Sequence, residues 1–317
     1  MGRAVAAVVA LTLLSACKTA ADPEPKAAEA SSRYTFWRPA PVLDAKDPSE
    51  VIKESKAADW RPIAPENLLI MELRGGGQVA IELTTDFAPI HVANIKALAR
   101  GGWWTPSSVY RVQENYVVQW GLNESDKPLP AGVVKRPPVE YGRALAGLEI
   151  RPLGFPDSYA PIVGHANGWP VGYDPEAGHA WLTHCHSMVG VGRDLSPDTG
   201  TGGELYAVIG HAPRHLDLNI ALVGRVVEGI ERLTAHPRGT EALGFIKDPK
   251  NHLPIARVRL AADIPMAERP SFEVMRTDTQ AFSAHVTGRA NRSGFFERPA
   301  GGVDLCNAPV PTRRRVS

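Results

Sequence analysis

The sequence predicts a mainly β domain, closed into an antiparallel barrel with helices over its ends. Three observations predict it. Short apolar runs recur between glycine-rich or polar breaks. Only two segments keep a clear helical period, with weak helical character in TQAFSAHVTGRANR. Glycine and proline are abundant, 29 and 28 of 317 residues, which suits strands and turns better than long helices.

The elements follow in order. LLIMELRGGGQVAIEL, residues 68–83, is two strand-like runs around Arg74-Gly75-Gly76-Gly77, a β-hairpin. DFAPIHVANIKALARGG, 86–102, reads as a helix. Pro89 suits its first turn, Val92, Ile95, Leu98 and Ala99 share one face, and Gly101-Gly102 ends it. Strands are expected at 107–112 and 116–120. Residues 122–180 carry many prolines and glycines with little period, so 122–183 is expected to be a loop-rich insertion with one short strand. So long a structureless loop would be unusual, and parts of it should pack on the domain.

HCHSMVGVGR, 184–193, is again strand-like, DLSPDTGTGG, 194–203, is a turn-rich loop, and ELYAVIG, 204–210, is a strand. HLDLNIALVGRVVEGIERLTA, 215–235, reads as a turn, a strand at 220–225 and a helix from about 227. IARVRLAAD, 255–263, alternates and closes the barrel domain of 67–263. Residues 34–66 read as an irregular arm held by Tyr34, Phe36, Trp37 and Trp60. Residues 264–317 are too poor in apolar side chains to hold a core of their own, and are expected to wrap on the barrel. The tail TRRRVS reads as a solvated end.

The first residues bear on compartment. MGRAVAAVVALTLLSAC has Arg3, an apolar run from Ala4 to Leu14, then Ser15-Ala16-Cys17. The run is too short to span a bilayer and has the flanks of a signal-peptide core. Residues 1–17 resemble a bacterial lipoprotein signal. That implies cleavage before Cys17, a lipid on Cys17 and a periplasmic, membrane-anchored protein; an ordinary secretory signal is the alternative. By the same resemblance, Lys18 favours the outer membrane. Residues 18–33, rich in Ala, Pro and Glu, read as a flexible tether.

Formal charge is +1, from 35 basic and 34 acidic residues, and gives no electrostatic case for nucleic acid. Cys185 and Cys306 either pair, as an oxidising compartment would permit, or stay two buried thiols. No GxSxG elbow supports a serine hydrolase. His165, His179, His184, Cys185 and His186 raise a metal reading, but no CxxC or HExxH spacing accompanies them, and no metal or cofactor is expected.

VYRVQENYVVQWG, 109–121, sets Arg111 and Gln119 among apolar and aromatic neighbours. With QVAIEL, APIHVANIKALA, SMVGVGRD, GTGGELYAVIG and HLDLNIALVGRVVEGIERL in that order, it resembles the cyclophilin-type peptidyl-prolyl cis–trans isomerases over about 67–121 and 184–262. The resemblance implies an eight-stranded antiparallel barrel capped by two helices, with no cofactor. It makes Arg111 the catalytic arginine and Gln119 its partner. It puts the proline pocket at Tyr116, Val117, Tyr206 and Leu216, with Gly190 and Glu204 also on the substrate. The expected partners are proline-containing segments of envelope proteins, and a monomer is expected.

Strand alternation puts Val109 and Arg111 on one face. It sets Tyr116 and Val117 on opposite faces, so both reach a pocket only if the chain bends near Gln113-Glu114-Asn115. Several positions depart from the family's pattern. Tyr116 and Tyr206 replace phenylalanine, His215 a tryptophan, Ile220 a histidine, Gly190 an asparagine and Glu204 a glutamine. Glu204 adds a negative charge that would either hold Arg111 or compete for it. The expected activity is therefore weakened or altered in preference. The alternative function is a non-catalytic binding or scaffold module of the cell envelope. The two readings part on whether Arg111, Gln119, Tyr116 and Tyr206 meet in one open cleft.

Overall fold

In this computed structural model, residues 45–122 and 127–315 are described. Cys17, the leader, the tether and Tyr34, Phe36 and Trp37 lie outside the described residues. The described chain opens with α1 (Pro48–Glu54) and β1 (Trp60–Pro62). The hairpin β2 (Leu68–Leu73) and β3 (Gln78–Leu83) leads to α2 (Pro89–Arg100), then β4 (Ser107–Val112) and β5 (Val117–Gly121). Next come β6 (Arg143–Ala144), β7 (Ile150–Pro152), β8 (Ile162–Ala166), β9 (Trp169–Asp174) and β10 (His179–Leu182). β11 (Met188–Val191), β12 (Leu205–Val208), β13 (Leu222–Glu228), α3 (Ile230–Thr234) and β14 (Leu253–Leu260) complete the central part. β15 (Phe272–Met275), α4 (Gln280–Ala290) and β16 (Thr312–Arg314) follow.

Eight strands close an antiparallel barrel in the order β11-β12-β5-β4-β14-β2-β3-β13. Its interior is filled by alternate residues such as Leu69, Met71, Val79, Ile81, Val118, Trp120, Val189 and Leu205. The two helices cover it as the periodicity implies: Val92, Ile95, Leu98 and Ala99 of α2 and Leu233 of α3 join the same core. The second helix is shorter than expected. Residues to Glu228 stay in strand register with β3, and Gly229, at φ +90°, turns the chain before the helix begins.

The expectation for residues 122–183 is corrected. In place of loops with one short strand there are five strands, ordered β6-β10-β9-β8-β7. Glycines and prolines inside these strands hide them from periodicity. Gly172 is needed where Trp181 crosses it, since a Cβ there would lie 2.7 Å from the indole. Trp169, Trp181, Val163 and Val171 form a core shared with Met188 and Leu222 of the barrel. Tertiary burial of tryptophan here outweighs weak strand propensity. The insertion also serves α2. The Glu140 carboxylate accepts from the amides of Ile90 and His91, each at 2.9 Å, and lies 2.6 Å from His91 Nδ1. It caps a helix whose own N-cap residue is Ala88.

The described part of the N-terminal arm is ordered, where an irregular arm was expected. β1 pairs with β15, and β15 with β16, in a three-stranded sheet. Phe272 and Val274 of this sheet pack on Leu68, Ile70 and Ala80 of the barrel. The arginines of the tail are not simply solvated: Arg313 lies 3.9 Å from the Trp60 ring centroid and Arg314 pairs with Glu228. A disulfide joins Cys185 to Cys306 across 121 residues of sequence.

Candidate active site

β4 and β5 set Arg111 opposite Gln119, but the register shifts between Val109 and Arg111. Tyr110 is the extra residue of this bulge. Val109 therefore points into the barrel core with Trp120, while Tyr110 and Arg111 both turn to the cleft. The expectation that Val109 and Arg111 share a face is corrected, because a bulge re-aims side chains that strict alternation would place together. The second half of the motif bends as required. Asn115 takes φ +52°, and Gln113 N–H donates to Val117 O at 2.9 Å. Tyr116 thus precedes β5 instead of lying in it, and both Tyr116 and Val117 line the cleft.

The Arg111 guanidinium is held on three sides. Nη1 donates to Gln119 Oε1 at 2.9 Å, Nη2 to Gln113 Oε1 at 2.6 Å, and Nε to Leu243 O at 2.8 Å. The Phe245 ring lies 5.5 Å from its central carbon. A guanidinium carries five N–H groups, so two are left over by these three bonds, and Arg111 lines the cleft. Burial pulls the Arg111 pKa down from its ordinary value, yet an arginine starts so high that it stays a cation.

Gln119 is fixed from behind. Its Nε2 donates to Tyr110 Oη at 2.6 Å, and that hydroxyl donates to Glu204 Oε2 at 2.6 Å. Glu204 Oε1 accepts from Leu122 N at 2.7 Å. The carboxylate thus bears on Arg111 through Tyr110 and Gln119, in a chain that fixes which way the amide faces. Burial, then the neighbouring Glu204 charge, push the Tyr110 phenol far above its ordinary value, keeping it a donor.

Beside Arg111 is an apolar pocket. Val117, Tyr206 and Val208 cluster there, with Tyr116 and Ile220 packed against them, and Leu216 lines the same cleft. His215 stacks on Tyr116 at 6.1 Å and 4°. The cleft as a whole measures about 730 Å³. The added hydroxyl of Tyr206 has a buried partner, His184 Nε2 at 2.9 Å. His184 Nδ1 lies 2.9 Å from Asp217, which accepts from Arg214, itself paired with Asp157. Burial lowers the His184 pKa, so the neutral ring donates to Asp217 and accepts from Tyr206. Gly190 belongs to this arrangement: a Cβ there would lie 2.3 Å from the Tyr206 ring and hydroxyl. The glycine at 190 and the tyrosine at 206 are therefore sterically matched.

The expected residues Arg111, Gln119, Tyr116, Val117, Glu204, Tyr206 and Leu216 meet in one cleft, with Gly190 against its wall. The histidines of the metal reading do not gather. His184 serves Tyr206, Cys185 is in the disulfide, and His165 lies 3.2 Å from Ala308 O. Among the described residues no group of three or more His, Cys, Asp or Glu could hold a metal ion. Tyr110, Gln113, Leu243 and Phe245 were not anticipated at the site, and His184 was considered only as a metal ligand. Tyr110 and Gln113 flank Arg111 in the motif itself; the bulge turns Tyr110 toward it, and Gln113 follows two residues on. Leu243 comes from 132 residues away and carries no local signal.

The family described as cyclophilin type peptidyl-prolyl cis-trans isomerase/CLD matches residues 68–259, and the chain belongs to it. A probable peptidyl-prolyl cis-trans isomerase of Brucella suis is 27% identical over 199 residues, covering 62% of this chain and 83% of the relative. The similarly described protein of Brucella abortus is 26% identical over the same shares. Among solved structures, the cyclophilin AquaCyp293 from Hirschia baltica superposes with a TM-score of 0.66 at 24% identity, covering 84% of this chain and 98% of that one. That likeness concerns the fold, and its coverage takes in more of the chain than 68–259.

Proposed function

We propose that this isomerase works by electrostatic stabilisation of the twisted X–Pro amide by Arg111. The planar amide has a barrier of about 18–20 kcal/mol set by resonance. Twisting the bond returns a lone pair to the prolyl nitrogen, which then accepts a hydrogen bond it could not accept when planar. A donor fixed beforehand favours that state over both planar ones. The observation that carries the reading is the Arg111 guanidinium, held by Gln119, Gln113 and Leu243 O with two N–H groups to spare, in the lining of the cleft. In this reading Val117, Tyr206 and Leu216 seat the proline ring, Tyr116 flanks it, and Gly190 and Glu204 border the substrate backbone. No nucleophile, metal or cofactor is needed.

The convergence of Arg111, Gln119, Tyr116 and Tyr206 on one open cleft favours catalysis over a non-catalytic scaffold. We infer further that the chain assists folding of proline-containing envelope proteins from a lipid anchor at Cys17. The support is the leader and Ser15-Ala16-Cys17. One experiment addresses both parts. Isomerisation of Ala-Pro peptides is followed by magnetisation exchange with the soluble part and with Arg111→Ala. The membrane association of the full chain is compared with that of Cys17→Ser. Loss of one fixed donor should lower kcat/KM by about 10²-fold or more, and the Cys17 variant should leave the membrane fraction. An unchanged rate in Arg111→Ala overturns the mechanism; a Cys17 variant still in the membrane overturns the anchor.

A further inference from the structure

The segment between α3 and β14 carries a residue that the mechanism does not explain. β14 pairs with β4 only at Ser107, Ser108 and Val109. Beyond that point residues 239–246 take over the edge of β4. Gly239 N–H donates to Val112 O at 3.0 Å, and Ile246 N–H donates to Tyr110 O at 2.9 Å. Phe245 bridges Arg111 in the antiparallel sense. At the tip of this segment stands Leu243, with φ +58° and ψ +14°.

That conformation is left-handed, which sterics disfavour for every residue with a Cβ. The turn has a backbone purpose, since it presents Leu243 O to Arg111 Nε. The backbone purpose alone would select glycine or asparagine, which adopt this conformation most readily. A leucine there needs a reason in its side chain, and no core supplies one. Leu243 is 63% exposed. Leu243 is among the residues that line the cleft, beside Arg111, Tyr116 and Phe245. An apolar group held at a strained turn and left open to water gains most when a ligand covers it.

We propose that Leu243 is a specificity-determining residue, forming an apolar subsite for a side chain flanking the substrate proline. The enzyme then favours X–Pro segments flanked by large aliphatic residues over those flanked by glycine. The inference rests on the cleft being the isomerase site. Covering one aliphatic side chain in such a subsite typically discriminates by about tenfold.

The test compares kcat/KM for two peptides, one with leucine and one with glycine beside the proline, varied on either side. Wild type, Leu243→Gly and Leu243→Asn are measured. Glycine and asparagine tolerate the left-handed turn, so the carbonyl that holds Arg111 keeps its place. The quantity read is the leucine-to-glycine ratio, which is insensitive to any general change in rate. About tenfold preference at one flank in the wild type, lost in both variants, supports the proposal. A ratio that is the same in all three proteins overturns it while leaving the isomerase reading intact. A wild type that isomerises neither peptide overturns the isomerase reading, and the subsite with it.

Discussion

In the proposed mechanism Arg111 acts from a fixed position, and other residues decide where its guanidinium stands. Gln119 could present either end of its amide to Arg111. The Tyr110 hydroxyl accepts from Gln119 Nε2 and donates to Glu204, which leaves Gln119 Oε1 for Arg111. If Arg111 acts as proposed, Tyr110→Phe breaks that chain and should lower kcat by about five- to tenfold, the worth of one hydrogen bond, with KM little changed because the Tyr110 hydroxyl holds Gln119. Steady-state kinetics on one peptide checks the split, and a rise in KM at constant kcat would contradict a positioning role. The charge at Glu204, which from sequence alone could have opposed Arg111 or held it, is linked to it through Tyr110 and Gln119.

At the scale of elements, one feature positions the site and another supports the covering helix. The bulge at Tyr110 turns two consecutive side chains of β4 toward the cleft. The insertion supports α2 from outside the barrel. Glu140 satisfies two amides of the first turn and faces His91, which is wholly buried. Glu140→Ala leaves those buried donors without a partner and should cost about 2–4 kcal/mol of stability, summing a lost cap and an unsatisfied buried group. Urea unfolding reads this as a lower midpoint at unchanged slope. A midpoint unmoved by the change would mean that water or another group replaces the carboxylate. The motif order and hairpin, the α2 face of Val92, Ile95, Leu98 and Ala99, and the barrel strands were legible because period and turn chemistry are local. The sheet of 143–182 was not, because Gly164, Gly172 and Pro170 lie inside its strands, whose core is completed by residues distant in sequence such as Met188 and Leu222.

At the scale of the whole molecule, barrel, insertion and terminal segments are tied together. The Cys185–Cys306 disulfide closes a span of 121 residues, and a crosslink of that reach stabilises by about 4–5 kcal/mol in the chain-entropy view. Buried histidines make this assembly sensitive to acid. Burial holds the His165 pKa at about 4 and lowers those of His184 and His285. The unfolded chain, with ordinary histidines near 6.5, binds more protons than the folded one throughout that interval. Stability is therefore fully present above about pH 6.5 and declines as pH falls toward 4. Thermal unfolding across that range should show a falling Tm, and His165→Phe, which removes one titrating group, should flatten the slope. A Tm constant from pH 6.5 to 4 would contradict neutral burial of these rings.

The sequence by itself determined the barrel, its two covering helices and the family to which the chain belongs, since alternation, helical period and the six ordered motifs are properties of neighbours along the chain. It also singled out Arg111 and Gln119. Only the tertiary structure decided what holds them. Leu243 O reaches Arg111 from 132 residues away, His184 answers the Tyr206 hydroxyl, and Glu140 caps a helix 49 residues before it. Each is a hydrogen bond completed by a distant residue. A buried polar group must find a partner, but local sequence does not say where along the chain that partner lies.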